Sequence, residues 1–213
     1  MTAVQIIAIT MGTAWASGIN LYAAVFMLGI LGRNGYVTLP GGLEVLTDPL
    51  IIIIAGIMYC VEFFADKAPG IDSAWDAVHT FIRIPAGAIL AMQAIGPADP
   101  ALELVAFLLG GALAAGTHFT KAGTRAMINT SPEPFSNWLA SLSEDLLVLA
   151  GLWIALNHPY LFLGALLLFV VSMIWLLPRL WRGMCALANR VRSLFSESPT
   201  RPVGTAGQDS VGT

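Results

Sequence analysis

The sequence predicts an all-α integral membrane protein with about six transmembrane helices. Of its 213 residues, 57% are hydrophobic and 11% are charged, whereas a soluble domain carries about 25% charged residues. Six long apolar segments alternate with short polar turns, and most approach the roughly 20 residues that cross a bilayer. A turn-rich linker at residues 97–100 divides the segments into two repeats of three helices, residues 1–96 and residues 97–178.

The first span covers residues 3–32 and has small and polar residues near its middle. Thr13, Ser17, Gly18 and Asn20 cluster there. Glycine and hydroxyl residues loosen a helix, and an asparagine amide that faces lipid is costly. We therefore expect this span to be interrupted near Gly18. No basic segment precedes it, so we interpret it as a retained helix and not as a secretory signal.

The second and third spans follow a loop over residues 33–46. Asp48 and Pro49 are typical of a helix start, with the aspartate as the cap. The second span should therefore cover residues 49–66. The third span should cover residues 74–96.

The fourth span begins near Ala101 and should be interrupted near Gly116, because glycine and hydroxyl residues recur there. The sixth span covers residues 160–178 and is uniformly apolar. A uniformly apolar helix is typical of a lipid-facing scaffold.

The fifth span has two alternative starts. A start near Ser136 and an end at Asn157 give a helix of membrane-spanning length. A start at Ser141, with a capping box between this serine and Glu144, would leave only about 16 helical residues, which is short for a bilayer. We favour the longer helix.

The C-terminal region changes character after the sixth span. Residues 179–195 place Arg179, Arg182 and Arg190 on one helix face and mostly apolar side chains on the other. This pattern predicts an amphipathic helix on an anionic membrane surface. Residues 196–213 are polar and contain proline and glycine, which predicts a disordered tail.

The most charged stretch lies between the second and third spans. It contains seven titratable side chains, which are Glu62, Asp66, Lys67, Asp72, Asp76, His79 and Arg83. The side chains at positions 72, 76, 79 and 83 fall within an arc of about 60° on one helix face. A structural hypothesis is an ion-pair ladder from Asp76 to Arg83 through His79. The functional hypothesis is a site for a cation, a proton or an anionic substrate, since charge within a membrane is costly.

Two similar motifs lie 98 residues apart. Residues 16–20, with the sequence ASGIN, resemble residues 114–118, with the sequence AAGTH. Each half contains three spans, and this odd number would invert the second repeat in the membrane. Paired interrupted helices in inverted repeats are typical of transporters with a site near the bilayer midplane. Close helix packing is the alternative explanation of the same small residues.

Charge is distributed unevenly along the chain. Five of the ten Lys and Arg residues lie at or beyond Arg179, and the chain before them holds five basic and eleven acidic residues. This distribution argues against nucleic-acid binding and favours cationic or metal partners. The two cysteines, Cys60 and Cys185, provide no disulfide framework and no metal-binding spacing.

The motifs together resemble a family of polytopic membrane proteins, domain of unknown function number 4126. The similarity rests on residues 17–22 (SGINLY), on residues 62–87, and on residues 115–145, which contain GTHFTKAGTR, NTSPEPFSNW and SED. It covers about residues 5–175. The resemblance implies a small polytopic membrane protein and implies no particular activity.

Three functions are consistent with these patterns, and the first is a small transporter or channel for a small solute or ion. The candidate substrate- and ion-binding residues are Asn20, Glu62, Asp66, Asp72, Asp76, His79, Arg83, His118, Lys121, Arg125, Glu144 and Asp145. Carboxylates suit protons or cations, whereas Lys121 and Arg125 suit an anionic group.

The other two functions use the same residues differently. A membrane-embedded hydrolase or transferase for a lipid-linked substrate would hold a divalent metal on Asp72, Asp76 and His79. We find no complete enzyme signature, so we assign no catalytic residue, cofactor or resident metal. A non-catalytic protein that binds lipid or organises partners is the third function.

The lipid bilayer is the expected partner, and the sequence leaves homo-oligomerisation open. Basic residues near span ends stay in the cytoplasm. Lys67, Lys121, Arg125 and the C-terminal arginines therefore place both termini in the cytoplasm, and only Arg33 disagrees. We expect the protein in a bacterial cytoplasmic (inner) membrane.

Overall fold

A computed structural model describes residues 1–68, 70–130 and 134–196, and over these ranges the protein contains six α-helices, one 3-10 helix and no β-strand. The elements in chain order are α1 Ala3–Arg33, the 3-10 helix Gly41–Thr47, α2 Pro49–Ala65, α3 Ile71–Ala94, α4 Pro100–Ile128, α5 Pro134–Asn157 and α6 Pro159–Ser196. The all-α prediction is confirmed. The predicted tail from residue 197 onward lies outside the described residues.

Helix starts are set by side-chain caps that satisfy free backbone amides. The Asp48 carboxylate accepts a hydrogen bond from the Leu50 amide at 2.8 Å, and Pro49 is the first residue of α2. Asp99 caps α4 in the same way through the Ala101 amide, also at 2.8 Å. The start that the sequence predicts for the second span is therefore confirmed.

Four helices, α1, α4, α5 and α6, are long and apolar enough to cross a membrane. A fifth span results if the 3-10 helix and α2, which are bent by 70° relative to each other, are counted as one. Helix α3 is not among them, because it carries the polar stripe of residues 72–83. Six helices are present, but composition alone supports four or five as spans.

Helix α1 lies at the centre of the bundle, in contact with each of the other five α-helices. Its helical geometry is broken at one residue, Asn20, whose φ of −147° and ψ of 95° are non-helical. The predicted interruption of the first span is confirmed, two residues after Gly18.

Helix α4 is continuous from Pro100 to Ile128, so the predicted interruption near Gly116 is wrong. The two matching glycines also have different neighbours. A Cβ added at Gly18 would lie 2.5 Å from the Ala114 carbonyl oxygen of α4, whereas a Cβ at Gly116 would meet the Met173 side chain of α6. The glycines therefore serve two separate helix contacts, as close packing predicts.

Helix α5 is longer than its short alternative, and α6 is longer than the predicted sixth span. Helix α5 begins at Pro134, so the longer fifth span is confirmed and the start at Ser141 is wrong. Helix α6 continues through Pro178 to Ser196. Residues 179–195 therefore extend α6 and do not form a separate surface helix.

Candidate functional site

Most of the predicted site residues gather in one buried region, which we call the charge cluster. Its members are Glu62, Asp66, Asp76, Arg83, Lys121, Arg125, Glu144 and Asp145. The end of α2, the first half of α3, the second half of α4 and the first half of α5 contribute them. These four segments meet because the α2–α3 and α4–α5 connections lie at the same end of the bundle.

The cluster extends from that end to the middle of the bundle. Glu62 is three residues from the end of α2, about 4.5 Å along the axis. Arg83 is twelve residues into α3, about 18 Å along its axis. The prediction of a polar site near the bilayer midplane stays a prediction.

Arg83 is the innermost cation and is fully buried. Its Nη2 atom lies 2.5 Å from Glu62 Oε1, and its Nη1 atom lies 2.9 Å from Asp76 Oδ1. Ser17 of α1 donates a hydrogen bond to the Arg83 carbonyl oxygen at 2.9 Å. Arg83 thus connects α1, α2 and α3 in a region without solvent.

Lys121 lies at the centre of the cluster. Its Nζ atom is 2.9 Å from Asp66 Oδ2 and within 3.7 Å of carboxylate oxygens of Glu62, Asp76 and Glu144. The same ammonium donates a hydrogen bond to the Ile19 carbonyl oxygen at 3.1 Å. Lys121 therefore neutralises carboxylates from three helices and binds a carbonyl beside the break in α1.

Arg125 organises the outer part of the cluster. Its Nε and Nη2 atoms donate to the two carboxylate oxygens of Glu144 at 3.0 and 2.7 Å, which is a bidentate ion pair. Its Nη1 atom donates to the Asn137 side chain at 2.6 Å and to the Asp66 carbonyl oxygen at 3.2 Å. The sequence suggested that Lys121 and Arg125 suit an anionic substrate; here both cations bind carboxylates of the protein.

The break in α1 is stabilised by side chains and not by the helix itself. Asn20 Oδ1 accepts a hydrogen bond from the Ala23 amide at 2.9 Å, and Asn20 Nδ2 donates to Asp145 Oδ1 at 3.0 Å. Together with the bond between Lys121 and Ile19, these contacts satisfy backbone groups that lipid could not.

His118 lies beside the inner part of the cluster and is fully buried. Its Nε2 atom is 2.7 Å from Thr80 Oγ1, and its Nδ1 atom is 3.3 Å from Arg83 Nη1. His118 therefore reaches Arg83, whereas Asn20 binds Asp145. The two residues at matching positions of the repeat contact different partners within one connected network.

His79 is not a step between Asp76 and Arg83, so the proposed ladder is wrong. Asp76 and Arg83 pair directly, as described above. The ring of His79 stacks on Trp75 with centroids 4.2 Å apart, and its Nε2 atom is 3.1 Å from the Tyr22 hydroxyl. This aromatic contact gives His79 a packing role outside the ion pairs.

Asp72 lies at the start of α3, outside the ion pairs. Its Oδ1 atom accepts hydrogen bonds from the Gly70 and Ser73 amides at 2.9 and 2.6 Å. The Asn129 side-chain amide lies 2.9 Å from each of its carboxylate oxygens. Asp72 therefore binds backbone amides at the start of α3 and the connection after α4.

The hypothesis of a metal on Asp72, Asp76 and His79 has no geometric support. Each of the three residues has its own separate partners. Within residues 1–68, 70–130 and 134–196, no group of three or more His, Cys, Asp or Glu side chains is arranged to hold a metal ion.

The charge cluster contains more anions than cations. Five carboxylates accompany three cations, so the cluster is negative when every carboxylate is ionised. Four carboxylates keep one buried oxygen without a hydrogen-bond partner in the described part of the chain, and these atoms are Glu62 Oε2, Asp66 Oδ1, Asp76 Oδ2 and Asp145 Oδ2. Unsatisfied buried acceptors are costly, which makes this region suited to bind protons or a cation.

Lys67 supplies positive charge near the cluster but forms no ion pair with a described residue. Its Nζ atom donates to the Phe63 carbonyl oxygen at 3.0 Å and lies 3.4 Å from Ser141 Oγ. Partial burial between α2 and α3 lowers the pKa of Lys67 from its ordinary value. Lys67 therefore lies beside the cluster without joining its ion pairs among the described residues.

Several residues of this network were missed in the sequence. Thr80 follows Asp76 by four residues and lies on the same helix face, so the helical period could have identified it. Asn137 and Asn129 were not among the candidate residues, and no local pattern indicated that they bind Arg125 and Asp72. Ser17 was noted only as a small residue, although it binds α3.

The fold and the buried network define a class of protein: a small all-α membrane protein with an ion-paired polar core. The chain belongs to the family described as Domain of unknown function (DUF4126), whose sequence profile matches residues 7–179. No curated protein and no solved structure matches the chain.

Proposed function

We propose that this protein is a membrane transporter or channel for a small solute or ion, with the charge cluster and the break in α1 as its polar site. The observation that carries the proposal is the break at Asn20. It opens the backbone of the central helix beside buried carboxylates and Lys121. Transporters place discontinuous helices at such sites, because the freed backbone groups and side chains can bind a substrate.

The energetics of the cluster support a functional role. Ion pairs buried this deeply seldom stabilise a protein more than packed apolar side chains would, because desolvation offsets the attraction between the charges. Eight charged residues packed between the helices of a membrane protein are therefore a costly way to hold these helices together. Charge that is retained in a membrane core is most often found on ion or substrate pathways.

Accessibility of the polar site provides a test that does not require the solute. Ser17 is fully buried beside Arg83, and cysteine is close to serine in size. We would introduce Ser17→Cys after replacing the exposed Cys60 and Cys185 by serine. Ala155→Cys, buried in the apolar core near Gly12, is the matched control.

A transporter must expose its site to each side of the membrane in turn. A membrane-impermeant thiol reagent should therefore modify Ser17→Cys from either side in separate experiments, and much faster than it modifies Ala155→Cys. Modification of Ser17→Cys from neither side, in a folded protein, would contradict transport.

Flux in proteoliposomes is the direct measurement. Vesicles loaded with a pH-sensitive dye, or with dyes for Na⁺, K⁺ or Mg²⁺, should show flux with the wild-type protein and not with Lys121→Met. Arg33→Gln, a change at the exposed end of α1, should retain the flux.

A lipid-binding role is the second candidate, and a groove between α4 and α6 favours it. The groove has a volume of about 720 Å³, and its lining includes Phe119, Ile174, Trp181 and Arg182. An acyl chain would fit the apolar lining, and Arg182 would attract an anionic phospholipid headgroup. Retention of phosphatidylglycerol over phosphatidylcholine in native mass spectra, lost in Arg182→Gln, would support this role.

A further inference from the structure

We propose that Asp145 holds a proton on its Oδ2 atom in the state described here, so that the ion handled by this site is H⁺; this inference rests on the proposed transport function. Asp145 is 7% exposed and lies well inside α5, where the backbone amides are used by the helix. Its Oδ1 atom has one donor, the Asn20 amide, and its Oδ2 atom has no partner among the described residues.

Asp145 forms no ion pair with a residue that the structure describes. Among the described residues, no Lys, Arg or His nitrogen lies within the 4.0 Å of an ion pair with its carboxylate. The charged and titratable groups that face it are Asp66, Lys67, Lys121 and Tyr59. Lys121 is bound to Asp66 at 2.9 Å, and Lys67 to a carbonyl and a hydroxyl, so neither neutralises Asp145 directly.

The other buried carboxylates each have a cation or several hydrogen-bond donors as partners. Glu62 and Asp76 both pair with Arg83. Asp72 has no cation, but it accepts hydrogen bonds from two backbone amides and from Asn129. Asp145 has neither a cation nor several donors, which separates it from the rest.

Protonation is the less costly state for such a group. An ionised carboxylate buried with a single donor loses most of its hydration, whereas a neutral carboxyl group leaves only one hydroxyl unpaired. A proton on Asp145 also reduces the excess negative charge of the cluster. The Oδ2 atom is free to take it, because Oδ1 is the acceptor of the Asn20 amide.

Loss of this proton would act on the break in α1. The new negative charge would strengthen the bond from the Asn20 amide and attract the Lys121 ammonium, which now binds the Ile19 carbonyl oxygen. The hydrogen bond between Asn20 and Asp145 and the one between Lys121 and Ile19 both stabilise the non-helical segment of α1. Proton binding and release at Asp145 would therefore change the conformation of the central helix at the polar site.

Infrared spectroscopy of the full-length protein in lipid tests the protonation state without measuring transport. At neutral pH, the spectrum of Asp145→Asn subtracted from that of the wild type should show a protonated-carboxyl C=O band that shifts in D₂O. Asp72→Asn is the matched control and should produce no such band, because Asp72 accepts hydrogen bonds from two backbone amides and from Asn129. Absence of the band for Asp145→Asn, or its presence only for Asp72→Asn, would overturn the proposal.

A second variant keeps the test decisive if Asp145→Asn does not fold. Asn20→Ala removes the hydrogen bond to Oδ1, so the C=O band of the wild type should move to higher frequency. An unmoved band would overturn the assignment to Asp145. If the band is present but no flux is measured, the proton site stands and the transport proposal fails. If flux is measured but the band is absent, the transport proposal stands and the proton site fails.

Discussion

At the residue scale, the sequence identified the charged residues of the site but not how they pair. Helical spacing correctly placed residues 76 and 83 on one face, and they form a direct ion pair. The same spacing wrongly included His79 in that pair, because its ring instead packs between Trp75 and Tyr22. Partners on other helices, such as Glu62 or Lys121, depend on tertiary packing that no local period encodes.

Arg83→Ala should destabilise the protein strongly. The change leaves Glu62 and Asp76 buried without their cation. Breaking a buried pair by removing one partner costs about 3–5 kcal/mol. We expect a large fall in the thermal midpoint in detergent, measured by circular dichroism.

The matched control for that experiment removes the charge of both partners of one ion pair. Arg83→Gln combined with Glu62→Gln should be more stable than Arg83→Gln alone, since one of the two stranded carboxylates is gone. Equal stability of the single and double variants would show that these charges are not coupled.

Arg125→Lys should not behave as a conservative change. The guanidinium forms a bidentate pair with Glu144 and also reaches Asn137, and a lysine ammonium cannot reproduce this geometry. Each hydrogen bond to a charged group contributes about 1.5–3 kcal/mol. We expect a lower midpoint in thermal unfolding, and a midpoint equal to that of the wild type would contradict the described role of Arg125.

At the element scale, local sequence chemistry predicted helix boundaries such as the start of α2. It predicted the helix breaks only in part, since α1 is broken and α4 is not. Asp48 and Pro49 marked the start of α2 correctly. Asn20 breaks α1 because its side chain bonds the Ala23 amide and reaches Asp145. His118, at the matching position, instead bonds Thr80 of α3, and α4 stays helical. Small residues occur in both motifs. Only the hydrogen-bond partners that the fold supplies determine that α1 is broken and α4 is not.

Gly18→Ala should disrupt the contact between α1 and α4. The added methyl group would lie 2.5 Å from the Ala114 carbonyl oxygen and 2.7 Å from Thr117 Cβ, and backbone atoms cannot easily move away. Overpacking of this kind costs about 1–3 kcal/mol. We expect reduced expression and a lower thermal midpoint.

Gly164→Ala is the matched control for this helix contact. Gly164 is also helical, but nothing lies within 4 Å of the position of its added Cβ. Alanine has the higher helix propensity, so this variant should be neutral or slightly more stable. Similar losses in both variants would show that general helix effects, and not the close contact, explain the result.

At the scale of the whole molecule, composition correctly predicted an all-α chain with several membrane-spanning helices. Inverted repeats remain a prediction. The sequence could not locate the charge cluster, because its depth depends on how four helices are staggered.

The orientation of the chain can be tested by cysteine labelling. With both termini in the cytoplasm and six spans, Thr130→Cys after α4 should react from the cytoplasmic side. Pro97→Cys before α4 should react from the opposite side; both positions are exposed. Lys67, Lys121, Arg125 and the C-terminal arginines motivate this orientation, because basic residues near span ends stay in the cytoplasm. Reaction of both cysteines from the same side would refute it.

The polar face of α3 has a consequence for how the protein enters the membrane. An Asp or Arg at the centre of an isolated span costs about 2.5–3.5 kcal/mol, and α3 carries Asp72 at its start and Asp76 and Arg83 further inside. Lys121, the cation of α4 that lies 3.7 Å from Asp76, is synthesised later, as is His118, which contacts Arg83. During translation, α3 therefore emerges before these two partners of its polar face.

We expect α3 to wait at the translocon until α4 has been made and then to leave it with α4 as a hairpin. A chain truncated at residue 98 should leave α3 accessible to protease, whereas a chain that extends through α4 should protect it. The most extensive helix contact of the fold, between α3 and α4, would in this way form before either helix meets lipid alone.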